Sequence, residues 1–304
     1  ASDTTYMIKA GLLPVETIKK YPYIKEFIDK NNISDEYLTS HLSSFLDCAS
    51  SLEICKNCKG IDTCMQAKKG EILTLNCDTS VYNEVTYCKK YFEKRNDDKI
   101  RANYIYSDIP DIYKELNLKN IEIPDNDILG LLAKVNGIAE HKTKKGLYIH
   151  GDLGVGKTYM CMALANTLAL NGEKIAFIKA NFFVNKMRQL IINDQVTYNQ
   201  ILNDIKEVTY LIIDDIGSES VSTYSRDDLL FNILDYRMEN KLTTIFTSNL
   251  SVEDLLEHYT FDKNSSSKIR AKRFVERVEM LSESYVLKGQ NKRRETLWLG
   301  KLVF

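Results

Sequence analysis

The run GDLGVGKT at 151–158 constrains this chain more than any other eight residues. Its spacing is G-x-x-x-x-G-K-T, and its flanks decide how it is read. The apolar LYIH (147–150) precedes it, and TYMCMALANTLAL (158–170), a run suited to a helix, follows. Strand, glycine-rich loop and helix in that order make a nest for phosphate. Gly151, Gly154 and Gly156, with Val155 among them, let the backbone curl so that its N–H groups point inward, and the helix N-terminus adds partial positive charge. Lys157 is expected to reach the β- and γ-phosphates, and the Thr158 hydroxyl to ligate Mg2+, with Tyr159 beside it on the first helical turn. The loop predicts a nucleoside triphosphate as ligand.

A phosphate loop of this kind requires a parallel sheet, and the rest of the chain supplies one. Beyond Gly146, apolar runs alternate with amphipathic ones: LYIH, KIAFIKA (174–180), YLIIDD (210–215), LTTIFTSN (242–249) and SYVLKG (284–289). Strands this apolar are buried on both faces, so the expected fold is α/β, with helices on both sides of a parallel sheet. With 304 residues, 44% of them hydrophobic and 27% charged, the chain has the composition of an ordinary globular protein. No apolar run approaches membrane-span length and no signal peptide is evident, so the expected location is cytoplasmic, with no membrane partner. A formal net charge of −1 argues against coating nucleic acid in bulk.

Cysteine usage marks off the first part of the chain. Six of the seven cysteines lie between Cys48 and Cys88, and only Cys161 falls in the nucleotide-binding half. Clustered thiols in a cytosolic chain read as metal ligands rather than disulfides. Cys55-x2-Cys58-x5-Cys64 offers three thiolates to a tetrahedral Zn2+, with a fourth from Cys77 or Cys88, while Cys48 is expected to pack as a small apolar residue. Around this stretch the pattern is helical. Ser34 is placed to cap a helix carrying Leu38, Leu42, Phe45 and Leu46, and 19–30 reads as another, interrupted near Pro22. KKYFEKRNDDKIR (89–101) is nearly all polar and forms the natural boundary. The expected organisation is a small, mainly helical zinc-binding domain over 1–94, a linker over 95–104 and the nucleotide-binding domain over 105–304.

Within the second domain, YLIIDDIG sets Asp214 and Asp215 at the carboxyl end of a buried strand, the edge where open α/β sheets bind ligands. Two carboxylates there suit Mg2+ positioning and activation of the attacking water. The next strand ends in Thr247, Ser248 and Asn249, whose amide is placed to orient that water. Basic residues gather late in the chain (Lys268, Arg270, Lys272, Arg273, then Lys288, Lys292, Arg293 and Arg294), which suits either a phosphate backbone or a solvated rim.

The order GxxGxGKT, LIIDDIGSES, TSN and KIRAKRFVERVEML resembles an AAA+ ATPase, and more narrowly the bacterial replicative helicase loaders of the DnaC/DnaI group with their transposon-helper relatives. The resemblance implies that ATP/ADP is the nucleotide. It assigns Asp214 to metal positioning, Asp215 to the place where many AAA+ proteins carry a catalytic Glu, and Asn249 to the first sensor. Arg277 becomes an arginine finger reaching a neighbouring subunit's γ-phosphate, so hydrolysis would be a weak, Mg-dependent switch that depends on self-association. Arg293 and Arg294 are both candidates for the second sensor. Cys88 becomes the preferred fourth zinc ligand, and Arg188, Ser222 and Tyr224 fall where single-stranded DNA is held. The implied partners are a hexameric replicative DNA helicase, single-stranded DNA and other primosome proteins. The sequence departs from the wider AAA+ pattern twice: Asp215 is shorter than Glu, and the few residues after Gly289 leave no room for a helical lid. A transposition helper ATPase and a P-loop small-molecule kinase are the rival readings. The cysteine module argues against the first, and the TSN strand end with the RFVER helix against the second.

Overall fold

The computed structural model describes residues 15–121, 126–261 and 265–291. It divides the chain into two compact units, Ala1–Asn96 and Asp97–Phe304.

The first unit begins with a 3-10 helix, Val15–Lys20, followed by α1 (Pro22–Lys30), α2 (Asp35–Ser40) and α3 (Leu42–Cys55). Pro22 opens α1, where a missing N–H costs nothing. Ser34 caps α2 by accepting from the Tyr37 N–H at 3.2 Å. The helix expected from Ser34 onward is broken at His41, which ends α2 and precedes α3. Ile18, Ile24, Leu38, Phe45 and Cys48 are fully buried together, so Cys48 packs as a small apolar residue, and burial pushes its thiol up to about 12.

A hairpin completes this unit: β1 (Glu71–Cys77) pairs antiparallel with β2 (Val81–Tyr87). It is hard to read from sequence because only Leu75 and Val81 in it are buried, too few to impose an alternating pattern. Next comes α4 (Lys89–Asn103). The stretch read as a linker over 95–104 is therefore helical as far as Asn103, with Ile100 as its one buried side chain. A single apolar anchor in a polar helix leaves almost no hydrophobic periodicity to detect.

The second unit is built on six strands: β3 (Tyr104–Ser107), β4 (Gly146–His150), β5 (Ile175–Lys179), β6 (Tyr210–Asp214), β7 (Thr243–Ser248) and β8 (Ser282–Val286). Their spatial order is β3-β5-β6-β7-β4-β8, and every pairing is parallel. The expected parallel sheet is therefore present, with the four-residue β3 added at one edge. One face is covered by α5 (Asn126–Ala139) and α6 (Lys157–Asn171), packed with Leu116 and Leu118. The other carries α7 (Ala180–Asn193), α8 (Gln195–Glu207), a π-helical turn (Tyr224–Leu230), α9 (Phe231–Glu239), α10 (Val252–Tyr259) and α11 (Ser265–Leu281). Burial on both faces explains the apolar strands: all five residues of β6 and all six of β7 are buried. Parallel pairing brings the carboxyl ends of β4, β5, β6 and β7 to one edge, and the cleft opens there. Among the described residues no helix is long and apolar enough to cross a membrane.

Candidate nucleotide site and cysteine cluster

The cleft at this edge has a volume of about 560 Å3, and its walls include Gly154, Lys157, Thr158, Asp214, Asp215 and Asn249. The loop between β4 and α6 forms its floor. Gly151 has φ +147, and a Cβ there would lie 2.1 Å from the Leu287 carbonyl oxygen, so no side chain fits. Gly156 caps α6 with φ +106, leaving the first N–H groups of the helix open to an anion. Val155 is buried behind the loop, and Tyr159 lines the cleft, packing edge-on against Tyr113 at 6.4 Å between ring centres.

Six polar side chains (Lys157, Thr158, Asp214, Asp215, Thr247 and Asn249) interlock across three strand ends. Lys157 Nζ donates to the carbonyls of Gly151 (2.7 Å) and Asp152 (2.8 Å) and to Asn249 Oδ1 (2.9 Å). The Asn249 amide in turn donates to Asp215 Oδ1 at 3.0 Å. Thr158 Oγ1 donates to Asp214 Oδ1 at 2.8 Å, and Thr247 Oγ1 donates to the same oxygen at 2.6 Å. Thr247 also accepts from the Asp215 N–H at 2.8 Å, so its hydroxyl joins the two acidic residues. Burial holds the Asp214 carboxyl above the ordinary carboxylate value, while the Thr247 and Thr158 hydroxyls pull it back down. Asp215 sits just past the strand with φ +58, in the left-handed region that Asp tolerates better than most residues.

The donor set suits a hard divalent cation. The Thr158 hydroxyl and the Asp214 carboxylate are oxygen ligands side by side at the end of the phosphate nest, which is what Mg2+ shared with a phosphate needs. The cleft also has an apolar end, with Pro110, Ile112, Tyr113 and Met162. Sequence reasoning missed this wall. It is fastened by Asn166, which is 2% exposed and donates to the carbonyls of Tyr113 (2.8 Å) and Leu116 (2.7 Å) while accepting from Tyr104 (2.7 Å). An Asn at a buried helix position was the available signal, since a buried amide must find partners. Lys179 at the end of β5 was missed too, because it reads as the polar end of an apolar strand.

Other expected residues fall outside the cleft. Arg277 on α11 pairs through Nε with Asp235 at 2.7 Å. Arg188, Ser222 and Tyr224 come together: Arg188 Nη2 donates to Ser222 Oγ at 3.4 Å, and its guanidinium lies 5.7 Å from the Tyr224 ring centre. Arg293 and Arg294, with Lys292, lie outside the described residues.

In the first unit, hydrogen bonds gather the segments that carry Cys55, Cys58, Cys64 and Cys88. The Cys58 N–H donates to the Cys55 carbonyl (3.1 Å), and Gln66 Nε2 to Cys55 Sγ (3.2 Å). The Gly70 N–H donates to Cys64 Sγ (3.4 Å), and the Gly70 carbonyl accepts from the Cys88 N–H (2.8 Å). N–H groups of Gly70 and Gln66 hold the Cys64 thiol below its ordinary value. Cys77 pairs with Val81 at the far end of the hairpin from Gly70, about 20 Å along the strand. Among the described residues, no three His, Cys, Asp or Glu side chains are close enough to form a metal centre.

Known proteins resemble this chain in sequence and fold. A family model for the IstB-like ATP binding protein matches residues 112–293. The chain is 27% identical over 290 residues to the replicative helicase loader DnaI of Bacillus subtilis (strain 168), covering 91% of each chain. It is 24% identical over 159 residues to the replicative helicase loader DnaC of Escherichia coli (strain K12), covering 52% of this chain and 64% of that one. A crystal structure of DnaI superposes with a TM-score of 0.54 at 29% identity, covering 64% of this chain and all of that one. The second unit thus has the AAA+ fold, and the chain belongs to the IstB-like ATP binding protein family.

Proposed function

We propose that this chain is an ATP-dependent loader that places a hexameric replicative DNA helicase on single-stranded DNA, together with other primosome proteins. The carrying observation is a similarity to DnaI that spans 91% of both chains and so includes the cysteine-bearing unit as well as the nucleotide cleft. That breadth favours a loader over a transposition helper. A small-molecule kinase is disfavoured because the acidic pair is braced by Thr247 and Asn249 rather than left open to an acceptor.

In this reading the α6 N-terminus and Lys157 bind the phosphates, and Lys157 exchanges its bonds to the loop carbonyls for phosphate oxygens. Thr158 and Asp214 would hold Mg2+, which neutralises charge on the transferred phosphoryl group. Asp215 accepts a proton from the attacking water, and Asn249, bonded to both Lys157 and Asp215, fixes that water's direction. Arg277 acts on the site of a second copy, so turnover is weak until chains assemble. Arg188 and Tyr224, already in contact, offer a cation and a ring to a single strand. In the first unit Cys55, Cys58, Cys64 and Cys88 would hold a structural Zn2+ by drawing closer together than they stand here, and the ion would supply folding energy and no chemistry. The whole acts in the cytoplasm.

Affinity purification of the intact chain with ATP and the replicative helicase of the same cell tests the reading. The expected result is a complex with the helicase hexamer and ATP-dependent transfer of the ring to circular single-stranded DNA. A chain that binds ATP but neither retains the helicase nor transfers it would refute the proposal.

A further inference from the structure

A ladder of contacts joins α11 to the opposing helix, and the nucleotide chemistry above leaves it unexplained. Arg270, Arg273 and Arg277 are spaced three and four apart, which places them on one stripe of α11. Facing them are Asp227 in the π-helical turn, and Phe231 and Asp235 one turn apart on α9. The two sides meet rung by rung. Arg270 Nη1 lies 3.2 Å from Asp227 Oδ2. The Arg273 and Arg277 guanidinium groups lie 5.1 and 5.4 Å from the centre of the Phe231 ring. Arg277 Nε donates to Asp235 Oδ1 at 2.7 Å.

The manner in which Arg277 is held is informative. Its Nε is used by Asp235, and its Nη1 by Glu276 at 3.0 Å. Among the described residues its Nη2 makes no hydrogen bond. A carboxylate that sequestered this guanidinium would take a two-nitrogen edge, in the bidentate manner Arg favours. Asp235 instead takes the inner corner, and Phe231 packs on the group from the side. The side chain is 17% exposed, so it is braced over most of its length. Such an arrangement removes rotamer freedom while leaving the outer nitrogen available, which is preorganisation.

We infer that Asp235 and Phe231 are positioning residues for Arg277, holding its guanidinium at the angle at which a second copy of this chain receives it. The inference rests on the reading of Arg277 as a group supplied in trans. It assigns α9 a part in hydrolysis at a nucleotide site in which α9 has no residue.

Mixing experiments separate this from a structural role. A Lys157→Ala chain has an intact Arg277 and a disabled cleft; an Arg277→Ala chain has the reverse. Mixed, with ATP and single-stranded DNA as scaffold, the two should recover hydrolysis that neither shows alone. Asp235→Asn is then added to one partner at a time. In the Lys157→Ala chain, which donates the arginine, it should lower the recovered kcat about tenfold, the scale of one charge-assisted hydrogen bond, with KM unchanged. In the Arg277→Ala chain it should leave the recovered rate as it was. Asp235→Glu in the donor should restore part of the rate. Phe231→Leu follows the same two-arm comparison and serves if Asp235→Asn lowers the yield of folded protein. Equal loss in both arms, no loss in the donor arm, or a gain there would overturn the inference. Absence of any recovery with the unmodified pair would instead refute the trans reading of Arg277, and this inference with it.

Discussion

Replacing Thr247 by valine removes one hydroxyl and disturbs both acidic residues of the cleft at once. The side chain keeps its shape, but the donor to Asp214 Oδ1 (2.6 Å) and the acceptor of the Asp215 N–H (2.8 Å) are lost together. A hydrogen bond to an ionised carboxylate contributes about 1.5–3 kcal/mol, and an orphaned buried amide costs about 1–3 kcal/mol. The methyl group gained returns about 1 kcal/mol of apolar burial. The net is about 3 kcal/mol, which for a unit of this size lowers Tm by about 9 °C. The effect also depends on pH. Burial raises the Asp214 carboxyl above its unfolded value, so the folded state binds a proton that the unfolded chain releases. Stability from this group is therefore fully present in acid and declines as pH rises through the ordinary carboxylate value toward the raised one. Loss of a hydroxyl that favours the charged form raises the carboxyl further. Calorimetry of the nucleotide-free protein should then show a larger Tm gap between variant and parent near about pH 7 than near about pH 4. A gap under about 2 °C at neutral pH, or one that does not change with pH, would refute the bridging role given to Thr247.

Lys157→Ala should weaken ATP binding itself, whereas Asp215→Ala should bind ATP and lose hydrolysis; equal loss of binding in both would contradict their separate roles. Metal analysis should find about one zinc per chain, lost in Cys88→Ser and retained in Cys77→Ser, because only Cys88 lies at the Gly70 end of the hairpin. Asn166→Leu should weaken ATP binding about tenfold and leave inorganic tripolyphosphate binding unchanged, since Asn166 fastens the wall at Tyr113 and not the phosphate nest. Equal weakening of both ligands would make Asn166 a structural residue only.

The parallel sheet and the phosphate nest were legible because their physics is local. Only a strand–loop–helix unit needs glycine at 151, 154 and 156 with Lys157 and Thr158 beyond, and only burial on both faces calls for strands as apolar as β6 and β7. Asp214, Asp215 and Asn249 were legible because they close such strands, and the structure places them within hydrogen-bond reach of Lys157, Thr158 and Thr247. The weakly patterned parts stayed hidden. The hairpin buries only two side chains, and α4 buries one, so neither sets up a period. The wall at Pro110–Tyr113 stayed hidden too, because its position depends on a buried amide more than forty residues later. Such tertiary hydrogen bonds leave no periodic trace.

Asp215 shows how a backbone can set a clock. Its left-handed φ of +58 is easier for Asp or Asn than for longer side chains. Lengthening the arm toward the water by one methylene would therefore work against the turn that aims it, and against the Thr247 hydroxyl that pins its N–H. A longer acidic side chain and this turn are in conflict, and the sequence carries the shorter one. In the proposed reading, the torsion at Asp215 would be one setting of how long a bound ATP survives, beside the arginine that a second copy supplies. A partner that contacts the turn between β6 and the π-helical segment would then alter that interval without touching the phosphate nest.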